Sequence, residues 1–196
     1  MKGVEGLDLY SNLIEFMNHV SSGIIEIYNE FSIQFELAIF LRANLPKDYK
    51  IQLERNINYF GLEKENFLKK EMDIVAFNPT TEERHCIEIK YPTNGQYPEQ
   101  MFSMCKDIKF LEELVETGFS NSYCLVVVND QLFYNNKGEE GIYRLFRKEK
   151  RLKGIIQKPT GKKDIKYHLN NEYNIEWKDI SGTEKYFIAT VERNLL

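Results

Sequence analysis

Two strand-like segments separated by a polar turn constrain this chain more than any other feature. The sequence is MDIVAF at residues 72–77 and HCIEIK at residues 85–90, and the residues between them begin Asn-Pro-Thr-Thr-Glu. Apolar, β-branched runs on either side of such residues predict an antiparallel hairpin. If the turn is centred near residues 80–82, Asp73 lies opposite roughly residue 89.

This predicted hairpin carries ionisable residues in apolar surroundings. Glu88 and Lys90 alternate onto one strand face, whereas Ile87 and Ile89 occupy the other. We therefore expect Asp73, Glu88 and Lys90 to converge at one end of the hairpin. Burying charged side chains in apolar strands lowers the stability of a fold unless the charges bind a metal or pair with each other. Two interpretations remain open: a divalent-metal site, or a buried ion pair at the end of a sheet.

The other elements follow from periodicity and from start and stop signals. They are a helix over residues 8–29, a helix over 32–45 with Ser32 as N-cap, a strand over 49–54, a helix from Pro98 that Gly118 ends, a buried strand over 122–128, and strands over 173–178 and 186–192. This order predicts one α/β domain with a mixed central sheet flanked by helices. Its parts are an N-terminal helix (8–29), a core (about 32–128) and a basic C-terminal extension with strands (140–196).

Two carboxylates and a lysine at one point suit phosphodiester hydrolysis. Hard oxygen ligands bind Mg²⁺, with waters and a substrate phosphate oxygen completing the coordination. The metal stabilises charge in the transition state and acidifies the attacking water. An adjacent ammonium orients that water or neutralises developing charge.

The segment resembles the PD-(D/E)xK nuclease superfamily, whose restriction-endonuclease-like core runs helix, three strands, helix, strand. The match is Asp73, fourteen intervening residues, then Glu88-Ile89-Lys90, with Met72 in place of the nominal proline. The resemblance implies that Asp73, Glu88 and the Ile89 carbonyl hold Mg²⁺ or Mn²⁺, with Lys90 at the water. Family members often add a glutamate from the preceding helix and a glutamine from the following one. Glu36 and Gln100 fit those positions.

A second Glu-x-Lys, at Glu176-Trp177-Lys178 and preceded by Asp164, competes with the first. A chance occurrence of so short a motif is expected roughly once in a chain of this size. The first match is preferred because a polar turn separates two good strands and because a helix and a buried strand follow it. Only another strand follows Lys178.

The charge of this chain is unevenly distributed. Residues 144–166 carry ten cations and two carboxylates, a net charge of +8, which leaves −12 on the remainder of a chain with net charge −4. A basic segment on an acidic body is the expected footprint of phosphate-backbone binding, although a solvated loop explains it equally well. The candidate nucleic-acid contacts are Arg144, Arg147, Lys148, Lys150, Arg151 and Lys153.

These features favour a metal-dependent DNA endonuclease of restriction, repair or mobile-element type. The alternatives are a catalytically inactive nucleic-acid-binding module on the same fold and a protein-interaction module whose basic segment binds an acidic partner. Cutting both strands of a duplex would favour a two-fold homodimer.

Three widely spaced cysteines, Cys86, Cys105 and Cys124, each lie in an apolar run. They predict reduced core residues in a cytoplasmic protein. No apolar run approaches the roughly eighteen residues that a membrane span requires, so no membrane partner is expected.

Overall fold

The structure, a computed structural model, describes residues 7–135, 140–161 and 164–193. It is an α/β fold with a mixed six-stranded sheet flanked by four helices. The helices are α1 (Leu9–Ser21), α2 (Glu30–Asn44), α3 (Tyr97–Glu116) and the short α4 (Gly141–Arg144). The strands are β1 (Lys50–Asn56), β2 (Glu71–Phe77), β3 (Arg84–Lys90), β4 (Ser122–Val128), β5 (Arg151–Gln157), β6 (Lys166–Asn174), β7 (Lys178–Asp179) and β8 (Lys185–Val191).

The main sheet has the strand order β1-β2-β3-β4-β8-β7. Strands β3 and β4 are parallel, as expected for a connection made by a helix, and the other neighbours are antiparallel. Because β8 pairs with β4 along its whole length, the C-terminal extension continues the sheet of the predicted core.

Strand alternation divides the interior into two apolar layers. Ile87 and Ile89 pack on one face of the sheet with α1 and α2, whereas Cys86 and Cys124 pack on the other face with α3. Strand β4 is buried at every position, as its continuous apolar sequence predicted. Burial on both faces makes β3 and β4 the centre of the fold, and the candidate site lies at this centre.

The hairpin forms as predicted, but its register is shifted by one residue. Ile74 pairs with Ile87 and Phe77 with Arg84, so Asp73 comes level with Glu88 rather than with residue 89. The Asn78 N–H donates to the Glu83 carbonyl at 2.8 Å, and this bond closes a turn centred one half-residue earlier than expected. The approximate register predicted from the sequence was one residue off, because turn geometry, rather than composition, decides it.

Both N-terminal helices depart from their predicted bounds. The first helix ends at Ser21 instead of residue 29, because Gly23 adopts a left-handed conformation with φ of +74°. The second helix begins at Glu30, and its N-cap is Asn29 rather than Ser32. Asn29 and Ser32 exchange side-chain-to-backbone hydrogen bonds in a capping box.

The basic segment forms ordered structure in its described part. It comprises the end of α4, a π-turn over residues 145–149 and strand β5, which pairs with β6 in a two-stranded ribbon. Buried Glu112 of α3 anchors this ribbon by accepting hydrogen bonds from the Asn170 and Asn171 backbones and from the Tyr173 hydroxyl. A solvated loop is therefore the wrong description of residues 144–157, whereas residues 158–161 form no helix or strand. Lys162 and Lys163 lie outside the described residues.

The predicted strand over residues 173–178 was also wrong. Strand β6 already ends at Asn174, and the next strand, β7, contains only Lys178 and Asp179. Between them Ile175 donates to the Lys150 carbonyl, and Trp177 packs against Phe187 in the core. Core packing of these apolar side chains overrides their local strand propensity.

All three cysteines are free and buried, as predicted. Within the described ranges, no helix is long and apolar enough to cross a membrane.

Candidate active site

The candidate site lies where β2 and β3 separate. The backbone pairing of the two strands ends at Ile74 and Ile87. Beyond that point the Asp73 side-chain carboxylate accepts a hydrogen bond from the Ile89 N–H at 2.8 Å. The Asp73 N–H in turn points to Glu88 Oε1 at 3.4 Å. Side-chain carboxylates thus fill the gap between two strands at the centre of the sheet.

Gln34 of α2 fixes the Asp73 backbone from the side. Its amide donates to the Asp73 carbonyl and to Glu54 Oε1, both at 2.7 Å. Glu54 interrupts the β1–β2 pairing with a positive φ of 47°, a conformation rarely adopted by a residue other than glycine. This irregularity lies directly beside Asp73.

Lys69, which the sequence interpretation did not single out, occupies the centre of the site. Its ammonium contacts the Glu88 carboxylate, lies 3.2 Å from Asp107 Oδ1 and lies 3.8 Å from Asp73 Oδ1. The available sequence signal was weak: a lysine four residues before Asp73, in a polar stretch that predicted only a connection.

Lys90 lies beside this group but is paired differently from the prediction. Its ammonium is 3.1 Å from Asp107 Oδ2, 3.3 Å from Glu30 Oε1 and 3.1 Å from the Ile89 carbonyl oxygen. The structure therefore links Lys90 to Asp73 and Glu88 through Asp107 and Ile89, rather than through a direct ion pair. Asp107, on the same helix as Gln100, extends the polar network.

Carboxylates outnumber ammonium groups in this cluster, which comprises Asp73, Glu88, Asp107, Glu30, Lys69 and Lys90. Its formal charge is −2, and the Glu88 side chain is completely buried. Burial, followed by repulsion from Asp73, holds the pKa of Glu88 well above its ordinary value. Burial also raises the pKa of Asp73, to about 6.

The two ammonium groups are held in their charged form. Burial by itself lowers the pKa of a lysine, but the carboxylates around Lys69 and Lys90 reverse that effect and raise both pKa values above the ordinary range. Neither lysine is therefore suited to accept a proton at neutral pH. Each serves as a fixed positive charge.

Two of the predicted site residues are not joined to this cluster. Gln100 donates to Asn94 Oδ1 at 3.1 Å on the outer end of α3. Glu36 is half-buried, and within the described residues no hydrogen bond or ion pair connects it to the cluster. Helix α2 presents Glu30 and Gln34 to the site instead, because residues four apart share a helix face.

The chemistry of the donors suits a hard divalent cation, but their present arrangement is built around an ammonium. Asp73, Glu88 and Asp107 are the oxygen ligands that Mg²⁺ and Mn²⁺ prefer. In the part of the chain that the structure describes, no three acidic, histidine or cysteine side chains are grouped to hold a metal together. Lys69 stands among the carboxylates, so metal binding requires its side chain to move.

The predicted nucleic-acid contacts are spread over the π-turn and the ribbon. Arg147 donates to the Leu132 carbonyl and lies over the Tyr143 ring, so it has a structural role. Arg151 and Lys153 each lie 3.3 Å from a Glu172 oxygen. Such exposed pairs are weak and can open toward another anion.

The remaining candidates in this segment are exposed. Arg144 pairs with Glu149 at 2.7 Å. Lys148 and Lys150 are also exposed, and Lys150 ends the π-turn in a left-handed conformation.

In comparisons with protein-family models, curated proteins and solved structures, no match to this chain was found. Functional inference therefore rests on the site itself.

The first prediction concerns Asp73. Because the folded protein holds the Asp73 proton more tightly than the unfolded chain, stability falls as pH rises from the ordinary pKa of 3.8 to about 6. We expect Asp73→Asn to remove this loss and stabilise the metal-free protein above pH 6, by up to about 3 kcal/mol. Thermal melts of both proteins from pH 4 to 8, in the presence of a chelator, measure this stabilisation. Equal curves of stability against pH for wild type and Asp73→Asn would contradict the raised pKa of Asp73. The control is Asp179→Asn, which changes a carboxylate at an exposed site.

Proposed function

We propose that this protein is a metal-dependent nuclease acting on DNA. The observation that carries the proposal is the meeting of three carboxylates, of which Glu88 and Asp107 are buried and Asp73 is partly buried, with two lysines where β2 and β3 separate. Burying such a group costs stability and leaves negative charge in excess, which a divalent cation would neutralise.

Asp73 and Glu88 would hold Mg²⁺ or Mn²⁺, with Asp107 as a further oxygen donor within reach of the same space. When bound, the metal would supply an acidified water and stabilise charge on the phosphate. The Ile89 carbonyl accepts from Lys90 at 3.1 Å, so a ligand role for this oxygen requires the two to separate. Lys90 remains protonated and would neutralise charge developing on the phosphate oxygens.

The element order supports the same interpretation. Helix α2, strands β1 to β3, helix α3 and strand β4 follow each other as in the PD-(D/E)xK core that the motif resembles. Asp73 and Glu88 lie level on neighbouring strands, and Lys90 follows on the face that α3 covers.

The β5–β6 ribbon adjoins the site. The Tyr167 ring of β6 stacks on Phe102 of α3 with ring centroids 4.7 Å apart, and burial together with the charge of Asp107 raises the pKa of Tyr167. Arg151 and Lys153 lie on the exposed side of this ribbon. These two cations lie at the end of the ribbon that pairs with Asn174, whereas Tyr167 pairs with Ile156 at the other end, so a DNA backbone would have to follow the ribbon to Tyr167 to come close to the carboxylate cluster.

The second prediction tests the ribbon. Changing Arg151, Lys153 and Lys166 to Gln should weaken duplex binding for all sequences and flatten the slope of log affinity against log salt by about 0.9 for each phosphate that the variant no longer neutralises. Binding is measured with the inactive Asp73→Ala protein at several salt concentrations. Lys47, Lys50 and Lys64, exposed elsewhere, are changed to Gln as the control. An unchanged slope in the ribbon variant would exclude the ribbon from DNA binding.

A second candidate function is a nucleic-acid-binding scaffold without turnover. The position of Lys69 favours it, because an internal ammonium already balances part of the carboxylate charge. The less negative charge the ammonium leaves unbalanced, the less a metal is needed to hold the carboxylates together.

A cleavage assay separates the two candidates. Wild-type protein and Asp73→Ala are incubated with plasmid and single-stranded DNA, with Mg²⁺, with Mn²⁺ or with chelator. If the protein is a nuclease, it should cleave DNA only in the presence of the metal, and Asp73→Ala should abolish this cleavage. DNA binding without cleavage under every condition would establish the scaffold.

A further inference from the structure

The outer face of α2 carries an apolar stripe that nothing within the described chain covers. Phe31, Phe35 and Ile39 follow each other at intervals of four residues and are 66%, 49% and 45% exposed. The Phe31 and Phe35 rings stack with centroids 6.4 Å apart. Ile24 and Tyr28, on the chain leading into the helix, are 71% and 66% exposed. Five of the nine exposed large hydrophobic side chains in the described residues thus fall within sixteen positions.

The opposite face of α2 packs against the sheet. Ile33, Leu37 and Leu41 are completely buried against the sheet. The helix is therefore apolar on both sides, a property of helices that are enclosed by protein. Among the described residues, none covers the second of these faces.

We propose that this stripe is the interface of a two-fold homodimer in which two copies of α2 pack antiparallel. Pairing centred on Phe35 sets Phe31 of one copy against Ile39 of the other, and Phe35 against itself. The same register sets Tyr28 against Arg42, an exposed residue whose guanidinium donates a hydrogen bond to the Ile51 carbonyl. The stripe is thus complementary to its own copy.

The size of the stripe agrees with a dimer. Five side chains about half to two-thirds exposed offer roughly 500–700 Å² of apolar surface, given about 150–250 Å² for a whole aromatic side chain. Two copies together bury about twice that area, which reaches the lower end of the ~1,200–2,000 Å² of specific interfaces. A membrane surface is a poor alternative, because interfacial helices are rich in lysine and arginine, whereas α2 carries Glu30, Glu36 and a single cation, Arg42.

This inference is independent of the proposed nuclease activity. Because Glu30 begins α2 and its carboxylate reaches Lys90, the dimer interface would start beside the candidate site. Pairing two copies there would bring two such sites into one assembly.

Sedimentation of the full chain over a range of concentrations tests the dimer. Wild type should reach twice the chain mass, and Phe35→Glu, which sets two like charges on the two-fold axis, should weaken association at least 100-fold. Tyr59→Glu, at another exposed aromatic residue, should sediment as wild type. Wild-type protein that stays at the chain mass at every concentration would overturn the proposal.

Cross-linking tests the register. A residue on the two-fold axis meets its own copy, so Phe35→Cys should cross-link to a dimer with a short bis-maleimide. The native cysteines are buried, so wild type should remain uncross-linked, as should Tyr59→Cys. Equal cross-linking of Phe35→Cys and Tyr59→Cys would reject this interface even if the protein is dimeric.

Discussion

Lys90→Ala should slow DNA cleavage by about 10²–10³-fold, the usual effect of removing one group that stabilises transition-state charge. The fold should survive, because Asp107 keeps the ammonium of Lys69 at 3.2 Å. Affinity for DNA should change little, since the exposed contacts proposed for the backbone lie on the ribbon. Initial cleavage rates in Mg²⁺, with binding measured in chelator, give both quantities.

The chain supplies a matched control for Lys90. Lys178 belongs to the second Glu-x-Lys but lies in the two-residue edge strand β7, away from the carboxylate cluster. Lys178→Ala should cleave as wild type. If Lys90→Ala instead unfolds, and does so regardless of metal, Lys90 is a structural ion-pair partner and has no demonstrated part in turnover.

The other large effect is expected for Lys69→Met. Removing this ammonium leaves Glu88 buried without its nearest counter-charge, which should destabilise the metal-free protein by about 3 kcal/mol at neutral pH. The loss should shrink in acid, where Glu88 takes up a proton, as its raised pKa implies. Thermal melts in chelator at several pH values measure the effect.

The same variant tests whether a metal and Lys69 compete for one space. With Lys69 gone, Mn²⁺ should bind at least 10-fold more tightly and should restore most of the missing stability, because it binds only the folded state. Calorimetry with Lys70→Met, the exposed neighbour, provides the control. Equal Mn²⁺ affinities in wild type and Lys69→Met would show that the two do not compete. No Mn²⁺ binding in either would exclude the metal site.

The central elements of the fold could be predicted from the sequence because their signals are local. Alternation and turn residues mark β2 and β3, Pro98 and Gly118 bound α3, and a continuous apolar run marks β4. The register of the hairpin was off by one residue, since a half-residue change in the turn centre is invisible in composition.

The site could be predicted in part. Asp73, Glu88 and Lys90 were recognised because charges stand out in apolar strands. Their partners come from other elements: Lys69 precedes β2, Asp107 lies on α3, and Glu30 begins α2. These residues are up to 77 positions apart in the chain. A local sequence pattern therefore does not predict which carboxylate will pair with a given ammonium group.

The sequence by itself determined the helix and strand periods and the placing of acids and lysines in a central hairpin. Only the tertiary structure decided that Lys69 lies among the carboxylates and that Phe31 and Phe35 face outward while Leu37 faces the sheet. Helix α2 is apolar around most of its circumference, so its pattern predicts burial without saying against what. Which apolar face of α2 is buried depends on how the helix packs on the sheet, and this packing is made by segments that are distant in the sequence.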